Sequence, residues 1–166
     1  MPGNRWELPR RRHLLLAGLF AGGALAVPAA KAADGNAQIH QEVDFAAPPA
    51  KIYAALLDEK TFASVTGAPA TIGRGEGAAF SLFGGAIVGR NLELVPDRRV
   101  VQAWRDSAWK PGLYSVVKFE LAAAGQGTHL AFDQGGYPLS DYASLTAGWP
   151  AHYWEPMKKH FLKSKS

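Results

Sequence analysis

From residue 38 the chain alternates. Ile39, Val43 and Phe45 fall on one face of an extended segment, and His40, Glu42 and Asp44 on the other. That period of two predicts a half-buried strand over 38–45. Pro48-Pro49 ends it, and Pro49 suits the first turn of a helix, where its missing N–H is not needed. Ile52, Tyr53, Leu56 and Leu57 then recur at helical spacing, and a second short helix is predicted from Asp58 to Val65. The cluster Thr66-Gly67-Ala68-Pro69 stops it. Strands follow over 78–83, 86–95, 99–105, 114–121 and 128–134. Gly84-Gly85, Pro96-Asp97-Arg98 and Gly125-Gln126-Gly127 supply turns, and a longer loop over 106–112 holds Trp109 and Pro111. Successive hairpins imply an antiparallel sheet. Near the C-terminus Leu145, Trp149, Tyr153, Met157 and Phe161 recur at every fourth residue, an apolar stripe on a long helix. A kink or a fresh helix start is expected at Pro150. The order is strand, two short helices, about six strands, long helix. It predicts an α+β fold in which a curved antiparallel sheet wraps around the C-terminal helix, leaving room for a cavity between them.

The first 32 residues follow another pattern. Arg10-Arg11-Arg12 precedes an apolar run from Leu14 to Val27, and Ala30-Lys31-Ala32 offers a small-x-small cleavage signal. The run has 14 residues, whereas a spanning helix needs about 20. We therefore expect 1–32 to be a signal peptide cleaved after Ala32, 33–37 a short extension, and 38–163 the working domain. Arg11-Arg12-His13-Leu14-Leu15 resembles the twin-arginine export motif, although the usual Ser or Thr before the arginines is missing and the general secretory route stays open. The expected destination is periplasmic or secreted, with no stable membrane span after cleavage.

Charge changes the picture once the leader is set aside. The net charge is +4, but of 18 basic and 14 acidic residues, five and one lie in the first 32, leaving 13 of each. A neutral domain lacks the basic footprint of a nucleic-acid binder. With no cysteine, thiol nucleophiles, disulfides and cysteine-ligated metals drop out.

Several segments, taken in order, are similar to a known family. They are Val43-Asp44-Phe45-Ala46-Ala47-Pro48-Pro49 with Ile52-Tyr53 and Leu56, Gly84-Gly85-Ala86-Ile87-Val88-Gly89, and Val100-Val101-Gln102-Ala103-Trp104-Arg105. Tyr114-Ser115, Gly127-Thr128-His129-Leu130 and Gly148-Trp149 with Tyr153-Trp154 complete the set. They resemble the family named after the activator of the heat-shock-protein-90 ATPase, within the START-related, birch-pollen-allergen-like (SRPBCC) superfamily. The resemblance covers about Gln38 to Leu162. It implies the helix-grip fold, and either an apolar ligand, a protein partner or, in some branches, catalysis in the cavity. An exported protein would meet neither the cytosolic chaperone nor its ATP.

Candidate residues lie on inward strand faces and on the helix stripe. If Leu92 and Leu94 point inward, so does Arg90, which would grip an anionic group; otherwise it sits solvated at the strand end or pairs with Glu76 or Asp44. Val100, Gln102 and Trp104 share a face, so Gln102 could orient a ligand or be a satisfied core residue. A buried Trp104 would need an acceptor for its indole N–H. Tyr114, Trp109, Phe132, Trp149 and Tyr153 are further candidates for the cavity wall, against plain core packing. His129 should face outward. His152 with Glu155 has a metal-pair spacing, but one pair is weak and no metal site or cofactor is predicted. Gly73-Arg74-Gly75-Glu76-Gly77 lacks the Lys-Ser/Thr ending of a phosphate loop and reads as a strand connection. Ser81, Ser115 and Ser144 lack a nucleophile-elbow context. No catalytic residue is named. Binding of a small apolar ligand ranks first, then a protein-interaction module with an unknown partner, then a cavity enzyme on a lipid, aromatic or polyketide-like compound.

Overall fold

The computed structural model describes residues 38–163; the signal residues Arg11, Arg12, Ala30 and Ala32 lie outside them. Strand β1 (Ile39–Phe45) buries Ile39, Val43 and Phe45, as its alternation requires. Helices α1 (Pro49–Leu57) and α2 (Glu59–Thr66) follow at once. Pro49 occupies the first turn of α1. Asp58 caps α2 by accepting from the Thr61 amide and hydroxyl, both at 2.8 Å, and Gly67 ends it in the left-handed region. Six strands then run as a meander: β2 (Ala70–Ile72), β3 (Ala79–Leu82), β4 (Ile87–Val95), β5 (Arg99–Asp106), β6 (Ser115–Ala124) and β7 (Gly127–Gly135). The sheet order is β1-β7-β6-β5-β4-β3-β2, antiparallel throughout. Because β1 and β2 form opposite edges, α1 and α2 carry the chain from one edge of the curved sheet to the other.

Three local readings change. Strand β2 has three residues, too few to show a period. Between β3 and β4 the chain makes a 3₁₀ turn, Phe83–Gly85, rather than a two-residue hairpin, and Phe83 itself has φ 51°. In β4 the pairing slips between Asn91 and Glu93, so Leu92 is an extra, outward residue. This bulge reverses the parity of the strand. Ile87, Gly89 and Asn91 point inward before it and Leu94 packs inward after it. Arg90 therefore does not share the face of Leu94.

The C-terminal helix is three pieces: α3 (Tyr142–Trp149), a π-helical segment (Pro150–Trp154) and α4 (Glu155–Lys163). A four-residue repeat drifts by roughly 40° per step on an α-helix. The wide π turn, closed by the Glu155 N–H on the Pro150 carbonyl, absorbs the drift. Trp149, Tyr153, Met157 and Phe161 thus all stay buried. Pro150 has no N–H for the Thr146 carbonyl. Gln41 of β1 supplies one, its Nε2 donating at 2.9 Å, while its Oε1 accepts from Trp154 Nε1 at 2.6 Å. One side chain thereby clamps both sides of the break to the sheet edge. Among the described residues no helix is long and apolar enough to cross a membrane.

Candidate functional site

A cavity of about 360 Å³ lies between the sheet and the start of the C-terminal helix. Phe83, Ala86 and Ile87 reach it from the β3–β4 turn, Trp104 and Asp106 from β5, Ser144, Leu145, Gly148 and Trp149 from α3, and His152 and Tyr153 from the π segment. Phe83, Trp104, Trp149 and Tyr153 give the wall its aromatic part, and Asp106, Ser144 and His152 are its polar members. Trp149 lies 5.7 Å from Trp104 and 4.5 Å from Tyr153 between ring centres, and Phe83 meets Tyr153 edge-on at 5.5 Å. Gly148 leaves the α3 wall open, since a Cβ there would touch only His152 Cδ2 at 3.8 Å.

The wall is held by buried polar groups. Trp149 Nε1 donates to Gln134 Oε1 at 2.7 Å, Gln134 Nε2 donates to Ser115 Oγ at 3.0 Å, and Ser115 Oγ donates to the Trp104 carbonyl at 3.0 Å. This relay joins α3 to β7, β6 and β5, and Gln134 and Ser115 are each at most 1% exposed. Outside the cavity, Trp109 Nε1 donates to Asp141 Oδ2 at 2.5 Å, and Arg105 donates to the Trp109 carbonyl. Trp104 differs. Its side chain is buried, and its Nε1 has no hydrogen-bond partner among the described residues. Burial pushes the Tyr153 phenol far above its usual range, against the opposing pull of the Trp104 N–H. Tyr153 is therefore a neutral hydroxyl at physiological pH, able to donate.

Of the residues expected at the site, Trp104, Trp149 and Tyr153 line the cavity. Phe132 is fully buried behind it, its ring 4.3 Å from that of Trp149. Gln102 is buried on the predicted face but turned to structural use. Its Nε2 donates to Asn91 Oδ1 at 3.0 Å, and Asn91 Nδ2 donates to the carbonyls of Gly73 and Gly75, holding the glycine-rich connection shut. Three candidates fall elsewhere, Trp109 among them, its indole bound to Asp141. Arg90 is exposed on the outer face by the parity reversal, and its Nη1 donates to the Gly77 carbonyl at 2.9 Å rather than pairing with Glu76 or Asp44. Tyr114 precedes β6 and is 47% exposed. His129 faces outward, its ring on Asp44.

Sequence reasoning missed Phe83, Asp106, Ser144, Gly148 and His152. The helical ones were findable, because Ser144, Gly148 and His152 precede Leu145, Trp149 and Tyr153 by one position each and so flank the same stripe. Ser115 and Gln134, polar at inward strand positions, also carried a signal. A second hollow, about 920 Å³ and open, lies where the N-terminus of α1 meets the turn around Asp97 and the Glu120–Ala123 stretch of β6, and none of the expected residues line it.

Comparison with known proteins bears on the same region. The family model described as "Activator of Hsp90 ATPase homolog 1-like protein" matches residues 46–161. An uncharacterised protein of Schizosaccharomyces pombe is 31% identical over 84% of this chain and 44% of its own length. The human activator of 90 kDa heat shock protein ATPase homolog 1 is 26% identical over 70% of this chain and 35% of its own length. The chain thus spans less than half of these relatives. Among solved structures, an HSP90 activator from Plasmodium falciparum superposes with TM-score 0.67 at 24% identity, covering 73% of this chain and 92% of that one. CalU16 from Micromonospora echinospora superposes with TM-score 0.65 at 20% identity, covering 75% of each. These likenesses show the fold.

Proposed function

The chain belongs to the Activator of Hsp90 ATPase homolog 1-like family, and from that premise we propose that it binds a small apolar molecule in the cavity between its sheet and its C-terminal helix. The observation that carries this reading is the cavity itself. Its volume of about 360 Å³ falls within the usual range for small-molecule sites, and its wall is mainly apolar, with Asp106, Ser144 and His152 as polar members. Phe83, on that wall, holds a backbone conformation that costs a non-glycine residue energy, a kind of strain that clusters at ligand sites. Gln134, the one glutamine of the relay, holds the wall residue Trp149 in place. Export fits the same role, a carrier acting outside the cytoplasm, and is supported by Arg11-Arg12, the apolar run and Ala30-Lys31-Ala32.

The test is titration with indane, an apolar bicycle small enough for the cavity, followed by NMR. Saturable shifts at the Ile87 and Leu145 methyls and the Trp149 indole support the reading. Absence of saturable shifts with indane and with its ketone, 1-indanone, defeats it.

The relatives named as activators of a heat-shock ATPase favour a second reading, a protein-binding module. Leu92, Tyr114, Val116, Leu139 and Tyr142 are large apolar side chains left exposed, which such a module would use. Polar substitution of Tyr114 and Val116 would then abolish capture of a defined partner from the same compartment; unchanged capture would reject this surface.

A further inference from the structure

Asp106, His152 and Tyr153 are the ionisable residues of the cavity wall, and they differ in what already holds them. Asp106, at the end of β5, is half-buried on the strand face of Trp104. Its Oδ1 accepts from the Ala108 amide at 2.8 Å, and no cation pairs with it among the described residues. Arg105, its neighbour in sequence, donates instead to the carbonyls of Ser107, Trp109 and Lys110. No lysine or arginine lines the cavity. His152 is the one wall residue able to carry a positive charge, and it is exposed, its ring edge-on to Phe83 at 6.1 Å. The Tyr153 hydroxyl is neutral and lies beside the Trp104 indole. Ser144 donates to the Asp141 carbonyl at 2.9 Å, which leaves only its lone pairs for a ligand. Water screens the exposed imidazole more than the half-buried carboxylate, so the balance inside the cavity favours a cation. The aromatic wall pulls the same way, because ring faces attract cations. The rings of Phe83 and Trp149 stand at 71° and 44° to that of Tyr153 around the space.

Resting on the reading of this cavity as a small-molecule site, we infer that its ligand is an organic cation, an apolar ring skeleton of about a dozen non-hydrogen atoms that carries one protonated amine. The ammonium N–H donates to the Asp106 carboxylate, and the skeleton packs against Phe83, Leu145 and Trp149. An apolar ligand without the amine would shield the Asp106 carboxylate from water and give it no partner in return. A carboxylate ligand would meet the same charge, with the exposed His152 as its one counterweight.

Three probes of one skeleton separate these cases: indane, 1-aminoindane and indane-1-carboxylate, titrated into the wild-type protein at neutral pH, where the aliphatic amine is charged. The amine should bind about tenfold more tightly than indane, the low end for a charged hydrogen bond because Asp106 is only half-buried. The carboxylate should bind most weakly. Asp106→Asn keeps an oxygen for the Ala108 amide and removes the charge, so in that variant the amine should lose its advantage over indane. A second readout needs no variant. On saturation with 1-aminoindane the Asp106 carboxyl group should titrate lower by NMR than on saturation with indane, because an ammonium beside it favours the ionised form. Equal binding of indane and 1-aminoindane, or tightest binding of the carboxylate through His152, overturns the inference while leaving cavity binding intact. So does an Asp106 titration that ignores the amine. Binding of none of the three overturns both.

Discussion

Gln134→Leu replaces a buried amide by an apolar side chain of similar size, so its cost reports hydrogen bonding rather than volume. The substitution strands the Trp149 indole N–H, whose acceptor is Gln134 Oε1 at 2.7 Å, in a site where Trp149 is 3% exposed. An orphaned buried donor costs about 1–3 kcal/mol. The bond from Gln134 Nε2 to Ser115 Oγ, worth about 1 kcal/mol net, is lost as well. The sum is a destabilisation of about 2–4 kcal/mol, a large fraction of the 5–15 kcal/mol that holds a domain of this size. Equilibrium urea denaturation reads it as a fall in midpoint at constant slope. Trp149→Phe removes the donor instead, and the double variant removes both partners together. The two losses should then fall short of additivity by about 1–3 kcal/mol, because neither group remains unpaired. Additive losses, or a Gln134→Leu cost below about 1 kcal/mol, would refute the claim that the relay fixes the cavity wall.

Other expectations are narrower. A Cβ at Gly89 would lie 2.0 Å from the Ala103 carbonyl oxygen and 2.3 Å from the Phe80 ring, so Gly89→Ala should cost about 3 kcal/mol or more in the same denaturation assay, or prevent folding. The His40 ring is bonded to Asp133 at 2.7 Å and to Glu42, which raises its pKa; NMR titration should place it above that of a free histidine, and Asp133→Asn should lower it. The sign follows: the bonded imidazolium stabilises the fold fully below the unfolded value near 6.5, and the contribution fades as pH rises through the folded value. Replacing Arg11 and Arg12 by lysine should block export by the twin-arginine route, as fractionation with antibody detection would show; unchanged export would assign the general secretory route.

The architecture could be read from the sequence because most of it rests on periodicity. Alternation in β1 and β5 and the four-residue stripe each translated directly into structure. The failures have local causes. The bulge after Asn91 is one extra residue, and no period announces it, yet it reverses β4 and turns Arg90 to solvent. Chain tracing by pattern likewise could not find β2, which exists only through its pairing with β3. At the site, Trp104, Trp149 and Tyr153 were legible as large residues on inward faces. Whether an inward polar residue serves a ligand or the fold was not, because that depends on partners distant in sequence. Gln102 turned out to serve Asn91, and Gln134 to serve Trp149.

The central claim is that the cavity holds a small molecule, and Gly148→Leu challenges it most directly. A leucine there grows into the cavity from a helical position where a Cβ meets only ordinary contact, and replacing glycine within a helix raises helix propensity by up to about 1 kcal/mol. Native mass spectrometry of the protein isolated from its own compartment should show wild type carrying a small-molecule mass and Gly148→Leu empty, with the variant's Tm undiminished. Wild type that is repeatedly empty, or a variant that carries the same mass as wild type, would contradict the account.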